Sequence, residues 1–143
     1  MTTVLAQRLT PLATPLVNKF YDEVGARGRA TKQDQVWVIR CDNNISAAAR
    51  VANIDEHAFL CGVYVAPEHR NQGQASNLIR QICAELDAPI YTFIYQHLED
   101  FYLQLGFIPV QQELPAPLLS RLHAYQNQGR KILPYCFVGE AHG

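Results

Sequence analysis

The chain has 143 residues, of which 48% are apolar, so it is long enough for one domain with one sizeable core. Its net charge of -1 gives no field that attracts nucleic acid, and no apolar run approaches the roughly 20 residues that cross a bilayer. Residues 1–10 lack the basic-then-apolar pattern of a secretory signal. We therefore expect a single domain over residues 1–143, cytoplasmic, with no nucleic-acid partner and no membrane partner.

The cysteines and histidines show no pattern of a metal site or of a disulfide framework. The four cysteines lie far apart in apolar contexts, and the five histidines lack metal-ligand spacing. We therefore expect no metal and four buried free thiols, which fits a reducing cytoplasm. The cysteines are Cys41, Cys61, Cys83 and Cys136.

The first half of the chain predicts a helix followed by a run of antiparallel strands. Thr14 has the side chain of a helix N-cap, Pro15 suits the first helical position, and Gly25 can end the helix. Three segments rich in β-branched and aromatic residues follow, and turn residues at 42–44 join the first two into a hairpin. The predicted strands are a short one at 3–9 and longer ones at 35–41, 45–54 and 57–65.

The second half of the chain alternates predicted helices and strands. Apolar residues recur at helical spacing in three segments, and three other segments are short and rich in β-branched or aromatic residues. The predicted helices lie at 73–86, 98–105 and 117–127, and the predicted strands at 90–95, 107–111 and 131–138. Because a strand, a helix and a strand in succession imply a parallel crossover after the hairpins, we expect an α+β domain with a mixed sheet.

Residues 63–76 form the stretch in which the sequence predicts a ligand site. It reads as a strand, a polar turn and a helix start, and the small residues Gly73 and Ala75 let a ligand approach the backbone. The unpaired first amides of a helix, together with its dipole, suit a pyrophosphate, and Arg70 can add charge or brace the turn. The stretch is neither a Walker loop nor a GxGxxG motif, so these residues alone also allow an ordinary strand-to-helix turn.

Two motifs in this order resemble the landmarks of one enzyme superfamily. Residues 70–75 read Arg-x-x-Gly-x-Ala and resemble the Arg/Gln-x-x-Gly-x-Gly/Ala motif of the GNAT acetyltransferases. Residues 102–107 read Tyr-x-x-x-Gly-Phe and are similar to the second landmark of that superfamily. The resemblance covers roughly residues 59–110. It implies a mixed, mostly antiparallel sheet flanked by helices, with a central parallel strand pair that splays apart where the strands end at Val65 and Tyr95.

The resemblance also implies an activity and its residues. The chain is expected to be an N-acetyltransferase that uses acetyl-coenzyme A as co-substrate and acetylates a primary amine by direct attack in a ternary complex. The acceptor would be a small-molecule or peptide amine. The oligomeric state is open, and the resemblance is compatible with a homodimer because dimers are common in the superfamily. Residues implied to contact the coenzyme are Val63, Tyr64, Val65, Arg70, Asn71, Gln72, Gly73, Gln74, Ala75 and Ser76.

Tyr102 is the catalytic residue that the resemblance implies. Its phenol would donate a proton or a hydrogen bond to the departing thiolate. Without the resemblance, the sequence favours a buried aromatic on an amphipathic helix for Tyr102 rather than a catalytic role. Cys61 is a conceivable nucleophile on the coenzyme strand, but the sequence gives it no evident His or Asp partner.

The sequence departs from the superfamily at the general base. Where many relatives carry an acidic residue, this chain has Phe59, and no acid occurs between Ala58 and Ala66. A non-catalytic acyl-CoA-binding module that regulates a partner protein is therefore the alternative function, and an unrelated structural α+β domain is a third reading. The basic residues Arg27, Arg29 and Lys32 either attract an acidic acceptor or belong to a solvated loop.

Overall fold

One seven-stranded sheet organises residues 5–139, the part of the chain that this computed structural model describes. The strands lie in the order β1-β2-β3-β4-β5-β7-β6, and every neighbouring pair is antiparallel except β4 and β5. Their bounds are β1 Gln7–Leu9, β2 Gln35–Cys41, β3 Asn44–Ile54, β4 His57–Val65, β5 Ile90–Tyr95, β6 Phe107–Pro109 and β7 Ile132–Phe137. The mixed, mostly antiparallel sheet expected from the sequence is confirmed.

The helices of the described chain cover both faces of this sheet. Their bounds are α1 Thr14–Val24, α2 Gln74–Glu85, α3 Glu99–Gln104 and α4 Ala116–Asn127. Successive residues of a strand point to opposite faces. Along β2, Val36 packs with α1 whereas Trp37 packs with α2, and along β4, Phe59 packs with α4 whereas Leu60 packs with α2 and α3. Helices α1 and α4 therefore share one face, and α2 and α3 share the other.

The end of α1 agrees with the prediction, but its start does not. Ala13 occupies the N-cap position, and no side chain caps the helix. Thr14 is already helical, and its hydroxyl donates to the Pro11 carbonyl at 2.7 Å, so it is not the N-cap that the sequence predicted. Gly25 ends the helix with a left-handed φ of 73°, as predicted.

Some predicted strand ends also differ. The first strand covers Gln7–Leu9 rather than 3–9, and residues 3 and 4 of that prediction lie outside the described chain. Strand β6 ends at Pro109 rather than at 111. The central strands at 35–41, 57–65 and 90–95 have the predicted bounds, because most of their residues are apolar and such segments are typical of strands in a core.

The cysteine prediction holds in part. All four cysteines are free thiols, but only Cys136 is buried, and Cys41, Cys61 and Cys83 are half-buried. Within residues 5–139, no three His, Cys, Asp or Glu side chains are grouped so that they could hold a metal ion. Over the same residues, no helix has both the length and the apolar character needed to span a bilayer.

The parallel strands β4 and β5 pair over only part of their lengths. Residues 58–60 of β4 face residues 90–92 of β5, and the pairing ends there although β4 continues to Val65 and β5 to Tyr95. The Thr92 hydroxyl donates to the Leu60 carbonyl at 3.0 Å, so a side chain takes the last ladder position. The predicted splaying of the central strands is confirmed, and it leaves a gap through the middle of the sheet.

Candidate functional site

The gap between β4 and β5 opens into a cleft of about 550 Å³. Leu60 and Tyr102 line the cleft from the α2 and α3 side, and Phe59 and Tyr125 line it from the α1 and α4 side. Residues from both faces of the sheet therefore meet in one cavity. Such a cavity can admit one reactant from each face.

A bulge in β4 lies where the gap begins. Arg50 of β3 faces Cys61, and Ala48 faces Tyr64, so a single β3 residue stands opposite both Gly62 and Val63. Gly62 has a φ of +64°, which a residue with a side chain adopts only under strain. The bulge re-aims the backbone groups of β4 at the point where β5 no longer pairs with them.

The turn between β4 and α2 presents backbone rather than side chains. Asn71 and Gly73 have φ values of 64° and 77°, and residues 70–73 are exposed. Helix α2 has no side-chain cap and no acidic residue in its first turn. Its first N–H groups are therefore free to bind an anion, which the helix dipole also favours.

Arg70 and Gly73 contribute to this turn in different ways. The Arg70 Nε–H donates to the Val65 carbonyl at 3.3 Å, so the side chain braces the end of β4 against the turn. An ideal Cβ on Gly73 would meet nothing within 4 Å. The left-handed φ of this residue favours glycine, and no described residue fills the space beside it.

The remaining predicted coenzyme residues differ in what they can offer. The Gln74 side chain is buried, and its Oε1 accepts a hydrogen bond from the Ser46 hydroxyl at 2.8 Å, so only the backbone N–H of Gln74 is available to a ligand. Ala75 and Ser76 are half-buried in the first turn of α2. Val63 and Tyr64 line the cleft directly, next to the bulge.

Tyr102 reaches the cleft from α3. Only 6% of the residue is exposed, and its ring packs edge-on against Phe101 and Phe107 at centroid distances of 5.2 and 5.4 Å. Its hydroxyl bonds to no other residue of the described chain. Burial raises the pKa of Tyr102 to about 12, so the phenol keeps its proton at neutral pH and remains a hydrogen-bond donor.

The sequence analysis did not identify Tyr21 and Arg50, whose side chains lie beside the bulge at Gly62. The Tyr21 hydroxyl donates to the Gly62 carbonyl at 2.8 Å. Arg50 Nη1 lies 3.4 Å from Asp34 Oδ2, and the two side chains are only 16% and 8% exposed. Two signals were available: a glycine inside a strand indicates a bulge, and an arginine among alanines and valines in β3 indicates a buried role.

The cleft carries cations and no carboxylate. Arg27, Arg50 and Arg130 line it, and no Asp or Glu of the described chain does so. Glu99, which the sequence places near Tyr102, instead accepts a hydrogen bond from the Tyr135 hydroxyl at 2.8 Å. Cys61 also lines the cleft, but burial raises the pKa of its thiol, and this disfavours the thiolate that a covalent mechanism needs.

The sequence and fold match one family. The family described as "Acetyltransferase (GNAT) domain" matches residues 32–109. This match covers more than half of the chain, so the chain belongs to the GNAT acetyltransferase family, as the two sequence motifs indicated. No curated protein matches the chain significantly.

Solved structures with the same fold include known acetyltransferases at low sequence identity. Escherichia coli ElaA has 18% identity and a TM-score of 0.63, over 94% of this chain and 99% of that one. The ribosomal-protein-S18-alanine N-acetyltransferase of Escherichia coli has 12% identity and a TM-score of 0.66, over 98% and 97%. Neisseria gonorrhoeae N-acetylglutamate synthase, complexed with coenzyme A and N-acetyl-glutamate, has 15% identity and a TM-score of 0.64, over 94% and 35%.

Proposed function

We propose that this protein is an N-acetyltransferase that uses acetyl-coenzyme A and acetylates a primary amine by direct attack in a ternary complex. Membership of the GNAT family indicates acyl transfer in general. One observation supports acetyl-coenzyme A as the co-substrate. The pairing of β4 with β5 ends at Leu60, and the helix that follows β4 begins at Gly73 without a side-chain cap. This arrangement can hold a diphosphate at the helix and pass the pantetheine arm into the gap.

The coenzyme would bind mainly through backbone groups. The N–H groups of residues 71–76 face a site without acidic neighbours in the first turn of α2, and this suits the pyrophosphate. The β4 backbone at Val63 and Val65 has no strand partner on the β5 side, so it can pair with the amides of the pantetheine arm. A structural neighbour solved with coenzyme A supports this choice of ligand.

The bulge gives the reacting carbonyl a donor. A backbone N–H near Gly62 or Val63, turned toward the gap, can stabilise the oxyanion that forms when the amine attacks the thioester carbon. The new C–N bond forms, the C–S bond breaks, and the sulfur leaves with the electron pair. No covalent enzyme intermediate is needed, because the thioester is already activated and positioning supplies much of the acceleration.

Tyr102 would act on the departing sulfur as a hydrogen-bond donor. A thiol has a pKa of roughly 8.5, and the pKa of Tyr102 is about 12. Complete proton transfer from the phenol to the thiolate is therefore uphill by roughly 3.5 pKa units, or about 5 kcal/mol. A hydrogen bond that strengthens as charge develops on sulfur avoids this cost, and we assign that role to Tyr102.

The amine must lose its proton without a carboxylate in the cleft. The guanidinium groups of Arg27, Arg50 and Arg130 disfavour another positive charge beside them, so they favour the neutral form of the amine. Water in the cleft would then carry the proton of the attacking nitrogen to solvent. The arginines and water would thus take over the role of the acidic general base, whose position is occupied here by Phe59.

The same missing carboxylate favours a second candidate function, a non-catalytic acyl-CoA-binding module that regulates a partner protein. Such a module would bind the coenzyme at the same turn without releasing free coenzyme A. Mass spectrometry of reactions with acetyl-coenzyme A and a library of primary amines separates the two functions. Amine-dependent formation of equal amounts of acetylated amine and free coenzyme A supports the enzyme, whereas tight coenzyme binding without turnover across the library supports the module.

A further inference from the structure

The positive charge of the cleft lies on one side of the sheet. On the side of α1 and α4, the positively charged side chains that line it are Arg27, Arg50 and Arg130, and no acidic side chain of residues 5–139 lines it. The proposed diphosphate site, at the start of α2, belongs to the opposite face of the sheet. These arginines are therefore placed for the acceptor rather than for the coenzyme phosphates.

Arg50 is held rigidly but keeps donors free. Its Nη1 is 3.4 Å from Asp34 Oδ2, and the same Asp34 oxygen accepts the backbone N–H of Thr31 at 2.9 Å. The Arg50 Nε is buried and bonds to no group in the described chain. Because a guanidinium has five N–H donors in a fixed fork, Asp34 orients Arg50 and leaves most of its donors unused.

Arg130, which lines the cleft beside α4, is also held in place by a neighbour while its N–H donors stay free. Its guanidinium lies over the Tyr125 ring, with Cζ at 4.5 Å from the centroid. Its Nε is also buried and without a partner among the residues described. Both guanidinium groups line the cleft, and apart from the Arg50–Asp34 pair no residue of the described chain accepts a hydrogen bond from either, so their remaining N–H donors suit an anion bound there.

We propose that the acceptor is a small amine that also carries a carboxylate, such as a free amino acid, and that Arg50 and Arg130 bind this carboxylate. The proposal rests on the N-acetyltransferase function proposed above and narrows its acceptor class. Arg27, exposed at the rim, adds to the field that draws the anion in. With the carboxylate on the arginines, the amine can face the gap where the thioester is proposed to lie.

The test uses matched acceptors and one charge-removing variant. Common amino acids are supplied as free acids and as their carboxamides, and kcat/KM is measured for the wild-type protein and Arg130→Gln. We expect Arg130→Gln to lower the acid-to-amide ratio of kcat/KM about 10- to 100-fold, the range for a hydrogen bond to a charged group. Any effect of Arg130 on the proton of the amine acts on both acceptors alike and cancels in this ratio. The acid and the amide differ in the pKa of their amine. Comparing the acid-to-amide ratio of kcat/KM between the wild-type protein and the variant cancels this difference.

Arg29→Gln is the control, because this substitution removes the same charge at a residue that does not line the cleft and pairs with Asp22 at 3.3 Å. It should leave the acid-to-amide ratio unchanged. The proposal is overturned if Arg130→Gln lowers acid and amide rates equally, or if it weakens coenzyme A binding instead. Thermal unfolding of Arg130→Gln separates these results from a folding defect.

If no amine is acetylated, the proposed function has failed, and calorimetry decides the carboxylate site independently. The same acids and amides are titrated into the complex of the protein with coenzyme A. The carboxylate site is supported if the acids bind and if Arg130→Gln abolishes their binding. Equal or absent binding of acids and amides rejects it. Failure of the acceptor class and failure of the enzyme are thus distinguishable.

Discussion

The Tyr21 hydroxyl donates a hydrogen bond of 2.8 Å to the carbonyl of Gly62, and this bond ties α1 to the bulge of β4. Burial raises the pKa of Tyr21 well above its usual range, so the phenol stays protonated and keeps donating. Gly62 lies two residues past Leu60, the last residue of β4 that pairs with β5. Helix α1 therefore fixes the position of the β4 backbone at Gly62, which we propose to lie next to the thioester.

Replacing Tyr21 by Phe removes this donor and leaves a carbonyl without its partner. We expect Tyr21→Phe to lower the free energy of unfolding by about 1–3 kcal/mol, the usual cost of an unsatisfied buried group. Urea denaturation measures the change. Tyr64→Phe is the control, because the Tyr64 ring packs edge-on against Tyr21 at 6.1 Å while its hydroxyl bonds to no described residue. Equal losses in the two variants would show that the hydrogen bond stabilises little.

A side chain at Gly62 should be more damaging than one at a comparable glycine. The Cβ of Gly62→Ala would lie 2.9 Å from Arg50 Nε and 3.0 Å from the Tyr21 hydroxyl, at a φ of +64°. Gly25 has a φ of +73° and nothing within 4 Å of its ideal Cβ. Gly25→Ala should therefore cost about 1–2 kcal/mol from backbone strain alone, and Gly62→Ala about 1–3 kcal/mol more. Indistinguishable unfolding curves would contradict the packing described for the bulge.

Tyr102→Phe should slow turnover without weakening coenzyme binding. The lost hydrogen bond acts on a developing negative charge, so we expect kcat to fall about 10- to 100-fold. Fluorescence titration with coenzyme A should give an unchanged Kd. The melting temperature should also change little, because the Tyr102 hydroxyl bonds to no other residue of the described chain. Wild-type turnover in this variant would remove Tyr102 from the mechanism.

The raised pKa of Tyr102 makes a prediction about pH. The phenol is the donor only while protonated, so its contribution is present below its pKa of about 12 and is lost above it. We expect the ratio of wild-type to Tyr102→Phe rates to stay constant from about pH 7 to about pH 10, where an ordinary tyrosine is already half ionised. A ratio that falls near pH 10 would show that the hydroxyl is not desolvated during the reaction.

The turn at Gly73 should be sensitive to charge. In Gly73→Asp, a carboxylate would stand beside the proposed diphosphate at a left-handed residue, so we expect the Kd for coenzyme A to rise at least about tenfold. Gly25→Asp carries the same substitution at another left-handed glycine that does not line the cleft, and it should leave this Kd unchanged. Equally tight binding by both variants would place the diphosphate elsewhere.

The sequence predicted well those features that local pattern determines. Strands β2, β4 and β5 have the predicted bounds because most of their side chains are apolar. The helix start at Thr14 was predicted wrongly because a threonine hydroxyl can bond backwards to Pro11 as well as forwards to helix amides, and the sequence does not distinguish the two.

Features that join distant segments could not be predicted. The pairing of Arg50 with Asp34 and of Tyr21 with Gly62 joins residues brought together only by the sheet and its helices. The sequence left open whether the basic residues of the loop after α1 attract an acidic acceptor or are merely solvated, and only the fold brings Arg50 and Arg130 together with Arg27 in one cleft. The charge of the cleft is therefore a tertiary property.

The most direct test of the proposed site is a crystal structure of the protein with bound coenzyme A. We expect the diphosphate oxygens within hydrogen-bond distance of the backbone N–H groups of residues 71–76. We also expect the pantetheine arm to run between residues 61–65 of β4 and residues 93–95 of β5, with its sulfur toward Tyr102. A diphosphate bound away from that turn, or β4 and β5 paired continuously beyond Leu60, would contradict the proposal.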